Sequence, residues 1–273
     1  MMIKGGIRIG GLGILQAFDQ DASAYFVTAG ITDATAKTQI NSFIVGLKSA
    51  SLWNSVVCWT LRSSQNKGTG LIAYSFGGLG SYNGALTNGP TWGTDGISFT
   101  NTSHEITLPD NSNLYNLRTG FCVFNPSSSA ANQRIIEIQD GSTGAGAYCY
   151  FRYGGGTAGE NGAKYYSTRN STLSGNTPNT ESASLNSFRS SAFTANNTSD
   201  NIFRDGSLVS GSARTGLLSI NPTGARNNRQ LFANTSSMVG AFGLISTSTL
   251  TNSDISSLHS LYKTTLGTGL GLP

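Results

Sequence analysis

The chain has 273 residues, 35 of them glycine, and only 11% of its residues are charged. This length is enough for one large domain with a substantial core, and the abundance of Gly, Ser, Thr and Asn is typical of short strands joined by turns, which excludes a mainly helical protein. The net charge of +4 comes from Lys and Arg residues scattered without a basic run, so we expect no specific nucleic-acid site.

No stretch reaches the roughly eighteen consecutive apolar residues of a membrane-spanning helix, and the N-terminus lacks the apolar core and small-residue cleavage site of a signal peptide. We therefore expect synthesis in the cytoplasm and no membrane insertion. Cys58, Cys122 and Cys149 all fall in strand-like runs, and we expect them to be buried free thiols rather than a disulfide or a metal site.

Residues 1–18 alternate Gly with branched aliphatic residues. They have β-propensity but too little side-chain volume for a core of their own. We expect an N-terminal arm that docks on a neighbouring subunit by strand addition. A disordered segment, or an edge strand of the same domain, is the alternative. The predicted docking residues are Ile3, Ile7, Ile9, Leu12 and Ile14.

Residues 19–55 form a lead-in in which the apolar period changes from about two to about 3.6 residues, which predicts a helical hairpin. Asp19 or Asp21 can cap the first helix and Gly30 can end it, while Thr32 can cap the second. The predicted apolar stripes are Ala22, Tyr25, Phe26 and Ala29 in the first helix and Ala36, Ile40, Phe43, Ile44 and Leu47 in the second.

Residues 56–266 contain short runs with two-residue alternation between turn signals, which predicts a two-layer β-sandwich. Residues 154–182, dense in Gly, Asn, Ser and Thr, predict surface loops or a long exposed hairpin. Residues 267–273 form a Gly-Leu tail that we expect to project like the N-terminal arm and to favour assembly. The predicted strands are 56–61, 95–99, 105–109, 119–124, 134–139, 148–153, 185–194, 201–209, 217–220, 231–233 and 239–245.

Asp205-Gly206 lies between two apolar runs and is the strongest turn signal in the chain. Both residues tolerate positive φ, so the pair predicts a two-residue type I′ hairpin turn. The predicted cross-strand pairs are Phe203 with Leu208 and Ile202 with Val209.

A short helix is predicted after Leu250. Thr251 and Asp254 have the spacing of a capping box, and Leu250 with Ile255 has that of a hydrophobic staple. The stripe beneath this helix is predicted to contain Ile255, Leu258 and Leu261 or Tyr262.

This order of hairpin, core strand and capped helix resembles the closing third of laminin G-like, concanavalin A-like jelly-roll domains. The residues that carry the resemblance are Phe203, Asp205, Gly206, Ala241, Phe242, Leu250, Asp254, Ile255, Leu258 and Tyr262. The segments 24–33, 40–48 and 52–53 resemble the lead-in of many tailed-bacteriophage virion proteins that carry such a domain. The Tyr-Pro-Phe common in those proteins is replaced here by Trp-Thr-Leu-Arg at 59–62.

The resemblance implies an all-β fold, a two-sheet jelly-roll sandwich of the concanavalin A-like type with an N-terminal arm and a short helical hairpin. It implies a non-enzymatic virion protein, either a capsid decoration or a tail surface component, made in the host cytoplasm and anchored by its N-terminal region. Its partners would be other capsid or tail subunits and further copies of the same chain. The alternative is a receptor-binding adhesin of the tail, a lectin for a host-surface glycan.

A glycosidase would need two carboxylates across a cleft, and the candidate pair is Glu137 and Asp140. A separation of three places them on opposite faces of a strand, and Asp140-Gly141 is typical of a turn, so we expect no enzyme. His104 and His259 have no further ligand at metal spacing, and we expect no cofactor. Calcium held by loop carboxylates and carbonyls, as in laminin G-like sandwiches, is the alternative.

Glycan contact would use exposed aromatic rings near the Gly-rich segment 154–162. The candidates are Trp92, Tyr153, Tyr165 and Tyr166. Packing of such rings on a sheet face is the alternative.

Overall fold

The computed structural model describes residues 17–127, 133–139, 148–153, 163–169, 172–173, 185–196, 199–213, 228–233 and 237–273. Within these ranges the helices are α1 (Gln20–Ala29), α2 (Ala34–Ser49), α3 (Ser112–Tyr115) and α4 (Asn252–Thr264), and Trp53–Ser55 forms a 3₁₀ turn. The first part of the predicted N-terminal arm, residues 1–16, lies outside the described residues.

The strands pair antiparallel in two sheets. In chain order they are β1 (Val56–Thr60), β2 (Ile72–Ala73), β3 (Ser75–Phe76), β4 (Gly84–Thr87), β5 (Thr91–Trp92), β6 (Ile97–Phe99), β7 (Glu105–Thr107), β8 (Thr119–Pro126), β9 (Gln133–Gln139), β10 (Tyr148–Tyr153), β11 (Ala163–Arg169), β12 (Thr172–Leu173), β13 (Arg189–Ala195), β14 (Ser199–Arg204), β15 (Ser207–Ala213), β16 (Asn228–Ala233) and β17 (Met238–Ser246).

Sheet A has the order β15-β14-β13-β8-β17-β1-β3, with β6 beside β17 and β5 beside β6. Sheet B has the order β12-β11-β10-β9-β16-β7-β4-β2. The predicted fold class, a two-sheet jelly-roll sandwich with a helical hairpin, is confirmed. Between the sheets lies one cluster of buried side chains, which includes Trp59 and Phe124 of sheet A and Ile106 and Leu231 of sheet B.

Sheet A is buried on both of its faces. All five residues of β1 are buried, and Phe242 of β17 belongs to a second apolar cluster on the face that points away from sheet B. Helices α1, α2 and α4 cover that face. The ring centroid of Phe43 on α2 lies 5.4 Å from that of Phe242 and 6.3 Å from that of Tyr262 on α4. The helical hairpin is therefore a layer of the core.

The helix ends follow the local signals with one shift. Asp19 caps α1 by accepting from the Asp21 amide at 2.9 Å, and Gly30 ends it with φ of +68°. Helix α2 is capped by Asp33, not by the predicted Thr32, since the carboxylate of Asp33 accepts from the Ala36 amide at 2.7 Å. A negative charge is also favoured at a helix N-terminus, which explains why the acid takes this position. The predicted stripes of both helices are buried.

The capping box of α4 is confirmed. The Asp254 amide donates to Thr251 Oγ1 at 3.2 Å, and the Thr251 amide donates to Asp254 Oδ2 at 2.9 Å. Ile255, Leu258 and Tyr262 are buried in the second apolar cluster, as the stripe predicted.

The β14–β15 hairpin turns at Asp205-Gly206, whose φ values of +50° and +79° fit the predicted turn. Phe203 pairs with Leu208 as predicted, but Ile202 pairs with Ser210. The predicted pairing of Ile202 with Val209 is wrong because the register shifts by one residue at this point, as it does at a β-bulge.

The C-terminal segment does not project. Leu270 and Leu272 are each only 7% exposed and belong to the second apolar cluster. Gly269 and Gly271 have φ of +89° and +68°, values that glycine adopts without steric cost and that turn the chain back on itself. The expected projecting tail is therefore replaced by a segment packed on its own helices.

Polar contacts hold this segment in place. Arg62 Nη1 donates to the carbonyl oxygens of Leu266 at 2.9 Å and Thr268 at 3.0 Å. His259 is buried, and its Nε2 lies 3.2 Å from the carbonyl oxygen of Pro273. Hydrogen bonds thus connect the C-terminal segment to the loop that follows β1 and to α4.

Cys58 and Cys122 are buried free thiols as predicted, and burial raises the pKa of both. The side chain of Cys149 and the predicted strand 217–220 lie outside the described residues. Within the predicted loop region 154–182, β11 pairs with β10 and with β12, which agrees with the hairpin alternative.

Truncation of Phe43 tests the role of the helical layer. Phe43→Ala should lower the free energy of unfolding by about 3–5 kcal/mol, because this fully buried ring contacts both sheet A and α4. Urea unfolding followed by circular dichroism measures it. Val45→Ala on the same helix, where the side chain is 42% exposed, is the matched control and should change stability by less than about 1 kcal/mol. Similar losses in both variants would contradict a core role for the hairpin.

The ion pair between α2 and the start of α1 should make stability depend on pH. Lys48 Nζ lies 2.7 Å from Asp19 Oδ1, and this hydrogen bond lowers the pKa of Asp19 below its ordinary value of 3.8. A lowered carboxyl pKa stabilises the fold above the ordinary value, and the effect is lost as pH falls through the folded-state value. Lys48→Met should therefore destabilise by at most about 1 kcal/mol at neutral pH, and less in acid.

Thermal unfolding of Lys48→Met and of the unchanged protein, between neutral and strongly acidic pH, measures their difference in stability. Lys263→Met, which removes an exposed lysine from α4, is the control for the change in net charge. If the difference in melting temperature between Lys48→Met and the unchanged protein stayed constant on acidification, the ion pair would not contribute to stability.

Candidate functional site

On β7, β9 and β16, the face of sheet B that points away from the interior carries polar side chains. Leu231 of β16 is fully buried between the sheets, whereas its neighbour Gln230 is partly exposed. Side chains alternate along a strand, so Gln230 lies on the opposite face. It pairs with Thr107 of β7 on one side and with Glu137 of β9 on the other. We call this polar surface the outer face of sheet B.

Glu105 is the centre of a hydrogen-bonded group on this face. Gln230 Nε2 donates to Glu105 Oε2, and Thr107 Oγ1 donates to Glu105 Oε1 at 3.0 Å. Thr87 Oγ1 lies 3.1 Å from Thr107 Oγ1. All four side chains are partly exposed. The carboxylate of Glu105 is therefore oriented by its neighbours and can still accept further hydrogen bonds, since each of its oxygens has a second lone pair.

Glu137 is the second carboxylate of the outer face. Its side chain is only 4% exposed and forms an ion pair with Arg134, with 2.6 Å between Arg134 Nη1 and Glu137 Oε2. Arg134 is 38% exposed, so the guanidinium side chain extends to the surface while the carboxylate stays inside. Glu105 and Glu137 stand on β7 and β9, the two strands that flank β16, and these strands are roughly 10 Å apart across the sheet. Thr107 is the residue of β7 in line with Glu137, and Glu105 lies two residues further along β7.

The predicted glycan residues fall in more than one place. Tyr166 pairs with Tyr150, and Tyr150 pairs with Glu137, so Tyr166 continues the row that contains Gln230. Tyr165 pairs with Phe151 in the neighbouring row, and Tyr153 is at the end of β10, paired with residues 133 and 163. These tyrosines therefore lie on β10, which adjoins β9, and on β11, which adjoins β10.

Trp92 lies in the other sheet. It pairs with Ile97 at the edge of sheet A, and its ring packs against the apolar cluster between the sheets. Its Nε1 donates to the carbonyl oxygen of Gly70 at 3.0 Å. Trp92 is therefore separate from the outer face of sheet B, and its contact with a glycan stays a prediction.

Sequence reasoning missed Glu105 and Gln230. They are 125 positions apart and meet only because β16 is inserted between β7 and β9. The alternation of Glu105, Ile106 and Thr107 was the available signal, since it marks a strand with one polar face. Asp140, the predicted partner of Glu137, lies outside the described residues, as do the docking residues Ile3, Ile7, Ile9, Leu12 and Ile14.

Neither histidine belongs to the outer face of sheet B. His104 Nδ1 accepts from the Thr100 amide at 3.3 Å within a polar turn, and His259 Nδ1 lies 2.8 Å from Ser190 Oγ. In the part of the chain that the structure describes, no three His, Cys, Asp or Glu residues are grouped so that they could hold a metal ion. In that same part, no helix has both the length and the apolar character needed to cross a membrane.

No protein-family model and no curated protein matches the chain. A mutant of Trypanosoma rangeli sialidase displaying trans-sialidase activity matches its structure with a TM-score of 0.58 and 12% identity over 86% of this chain and 38% of that one. Trypanosoma rangeli sialidase in complex with 2,3-difluoro-KDN matches with a TM-score of 0.54 and 13% identity over 79% of this chain and 33% of that one.

The botulinum neurotoxin serotype D binding domain matches with a TM-score of 0.51 and 13% identity over 77% of this chain and 52% of that one. The chain thus spans about a third of the sialidase and about half of the neurotoxin domain. At this level of identity the likeness shows the fold alone, a two-sheet β-sandwich.

The prediction that the protein is not an enzyme is wrong. It is overturned by the structural matches, which include a sialidase and a mutant of it with trans-sialidase activity. The structure also shows a feature that the linear sequence did not reveal, two carboxylates on one face of sheet B, at Glu105 and Glu137. The likeness concerns the fold and assigns no reaction to this chain.

Proposed function

We propose that the protein is a glycan-binding component of a tailed-bacteriophage virion, and that its lectin-like sandwich recognises a host-surface glycan through the outer face of sheet B. The observation that carries the proposal is the arrangement of Glu105, whose two carboxylate oxygens are held by Gln230 and Thr107 on a solvent-accessible sheet face. Capsid decoration and a place on the tail surface are the two settings that the sequence resemblance allows.

The outer face of sheet B has the groups that a sugar requires. Sugar hydroxyls donate well to an ionised carboxylate, and such charge-assisted hydrogen bonds are about twice as strong as neutral ones. The donors that fix Glu105 also remove the cost of ordering it when a ligand arrives. Tyr150 and Tyr166, which continue the row of Gln230 and Glu137 by strand pairing, add aromatic residues of the kind that sugar-binding surfaces use.

The virion setting rests on the sequence. The lead-in at residues 19–55 and the order of elements from 201 to 263 resemble those of phage virion proteins with laminin G-like domains. The Gly-rich, aliphatic arm at residues 1–18 supports attachment to capsid or tail subunits by strand addition, with further copies of the chain as one such partner.

Removal of the Glu105 charge tests the glycan site. We expect Glu105→Gln to weaken binding about tenfold, because it removes charge-assisted hydrogen bonds to sugar hydroxyls. Binding would be measured by calorimetry with the strongest ligand from an array of neutral and sialylated oligosaccharides and bacterial polysaccharides. Asp95→Asn is the matched control, since it removes an equal charge at an exposed turn residue of sheet A. Equal affinities of the two variants would refute a site on the outer face of sheet B.

Glycoside hydrolysis is the second candidate function, favoured by the presence of Glu105 and Glu137 on one face. In that case the bound oligosaccharide would release reducing ends, and Glu137→Gln would abolish the release. Binding without release in the unchanged protein would exclude this candidate for the ligand tested.

The virion role has its own test. Changing Ile3, Ile7, Ile9 and Leu12 together to Ser should abolish co-sedimentation with phage particles assembled without this chain, because the arm would lose its apolar contacts. Leu71→Ser, at a side chain that is 66% exposed outside the arm, should leave co-sedimentation unchanged. Full particle binding by the Ser-substituted arm would contradict attachment through residues 1–18.

A further inference from the structure

A second polar surface lies at one end of sheet A. There β6, β8 and β17 form a shallow pocket of about 200 Å³. We call it the Asn125 pocket. Its lining residues are Ser98, Phe99, Thr100, Asn125, Ser127, Asn186, Ser237, Met238 and Val239.

Strand pairing brings the pocket's residues together. Val239 of β17 pairs with Asn125 of β8 on one side and with Ser98 of β6 on the other, which forms one row across three strands. Ser127 directly follows β8 and Ser237 directly precedes β17, and Ser127 Oγ donates to the Ser237 carbonyl oxygen at 3.0 Å. The lining is therefore fixed by the sheet itself.

Asn125 has an unused acceptor. Its Oδ1 is buried and has no hydrogen-bond partner among the described residues. A buried polar atom without a partner loses its hydrogen bonds to water and gains none in return, so native structures seldom leave one. An external donor that enters the pocket would remove this cost, which makes Oδ1 an attachment point for a ligand.

The remaining lining defines the ligand's chemistry. The serine and threonine hydroxyls both donate and accept, Asn186 adds an amide, and the partly buried Val239 adds apolar surface, whereas Met238 and Phe99 are buried in the cluster between the sheets. No charged side chain is among the described lining residues. A neutral sugar matches this combination, because it presents several hydroxyl groups and an apolar C–H face, whereas an anionic sugar would find no cation here.

We propose that the Asn125 pocket binds one neutral sugar residue and is a second saccharide site, independent of the outer face of sheet B. It lies on the other sheet and shares no residue with the group around Glu105. A protein with both sites would hold two glycan ends, or two parts of one glycan, at once, which strengthens weak single contacts.

The test is an NMR titration of the full chain labelled with nitrogen-15. The side-chain amide signal of Asn125 is monitored as sugar is added. The probes are the methyl glycosides of glucose, galactose and N-acetylglucosamine, with N-acetylneuraminic acid as the anionic comparison. We expect saturable shifts of the Asn125 amide with a neutral probe and at least a fivefold weaker response with the anionic one.

Asn125→Leu keeps a similar side-chain shape and removes the acceptor. This variant should reduce the affinity for a neutral sugar at least tenfold, measured from the backbone amide signals of Ser98 and Val239. It should not lower stability, because the unpartnered buried oxygen is also removed. Ser98→Val is a second variant from a different strand and should also weaken binding. Glu105→Gln is the matched control and should leave the pocket's affinity unchanged.

The outcomes separate the two sites. Loss of binding in Asn125→Leu but not in Glu105→Gln supports the pocket. Loss in Glu105→Gln alone overturns the pocket and leaves the outer face of sheet B as the glycan site. Absence of saturable shifts at Asn125 with every neutral probe, or equal binding of the anionic sugar, also overturns the pocket. If Asn125→Leu fails to fold, the result with Ser98→Val decides.

Discussion

The fold depends on the need to cover both faces of sheet A. One face packs against sheet B, and the other, with Phe121 and Phe242, would be exposed without α1, α2 and α4. A sheet with two apolar faces cannot face water, so the helices and the last residues of the chain are part of the same core. On β7, β9 and β16 of sheet B, the large apolar side chains that the structure describes all pack between the sheets. This difference leaves its outer face free for polar side chains and concentrates the candidate site there.

Much of the fold could be predicted from local patterns. Asp205-Gly206 marked the hairpin, Thr251 with Asp254 marked the start of α4, and the apolar stripes of both N-terminal helices were correct. The errors came from choices that local patterns do not settle. Asp33 competes with Thr32 for one cap, and a register shift displaces Ile202 by one residue. The Gly-Leu tail packs on the helices, and this could not be predicted locally because the apolar surface that receives Leu270 and Leu272 forms only when the chain folds.

The candidate site was less predictable than the fold. The sequence pattern points to Glu137 but pairs it with Asp140, three residues away, where alternation along a strand places a side chain on the opposite face. The carboxylate that shares its face is Glu105, and the two come together through β16, whose position between β7 and β9 is a property of sheet order. Sheet order is a long-range property, so a motif search along the chain cannot find such a pair. The lack of a paired acid nearby in the sequence is therefore no reason to exclude catalysis.

The contact between His259 and Pro273 has a practical consequence for experiments. It keeps the last residue on the helix-covered side of the molecule, and the ring of Phe18, 5.2 Å from that of Phe26 on α1, begins the described chain on that side as well. A linker joined at Pro273 leaves from the side opposite to the polar face of sheet B. Protein coupled to a sensor chip through such a linker would hold that face toward the solution, where dissolved polysaccharide can reach it without passing the chip surface.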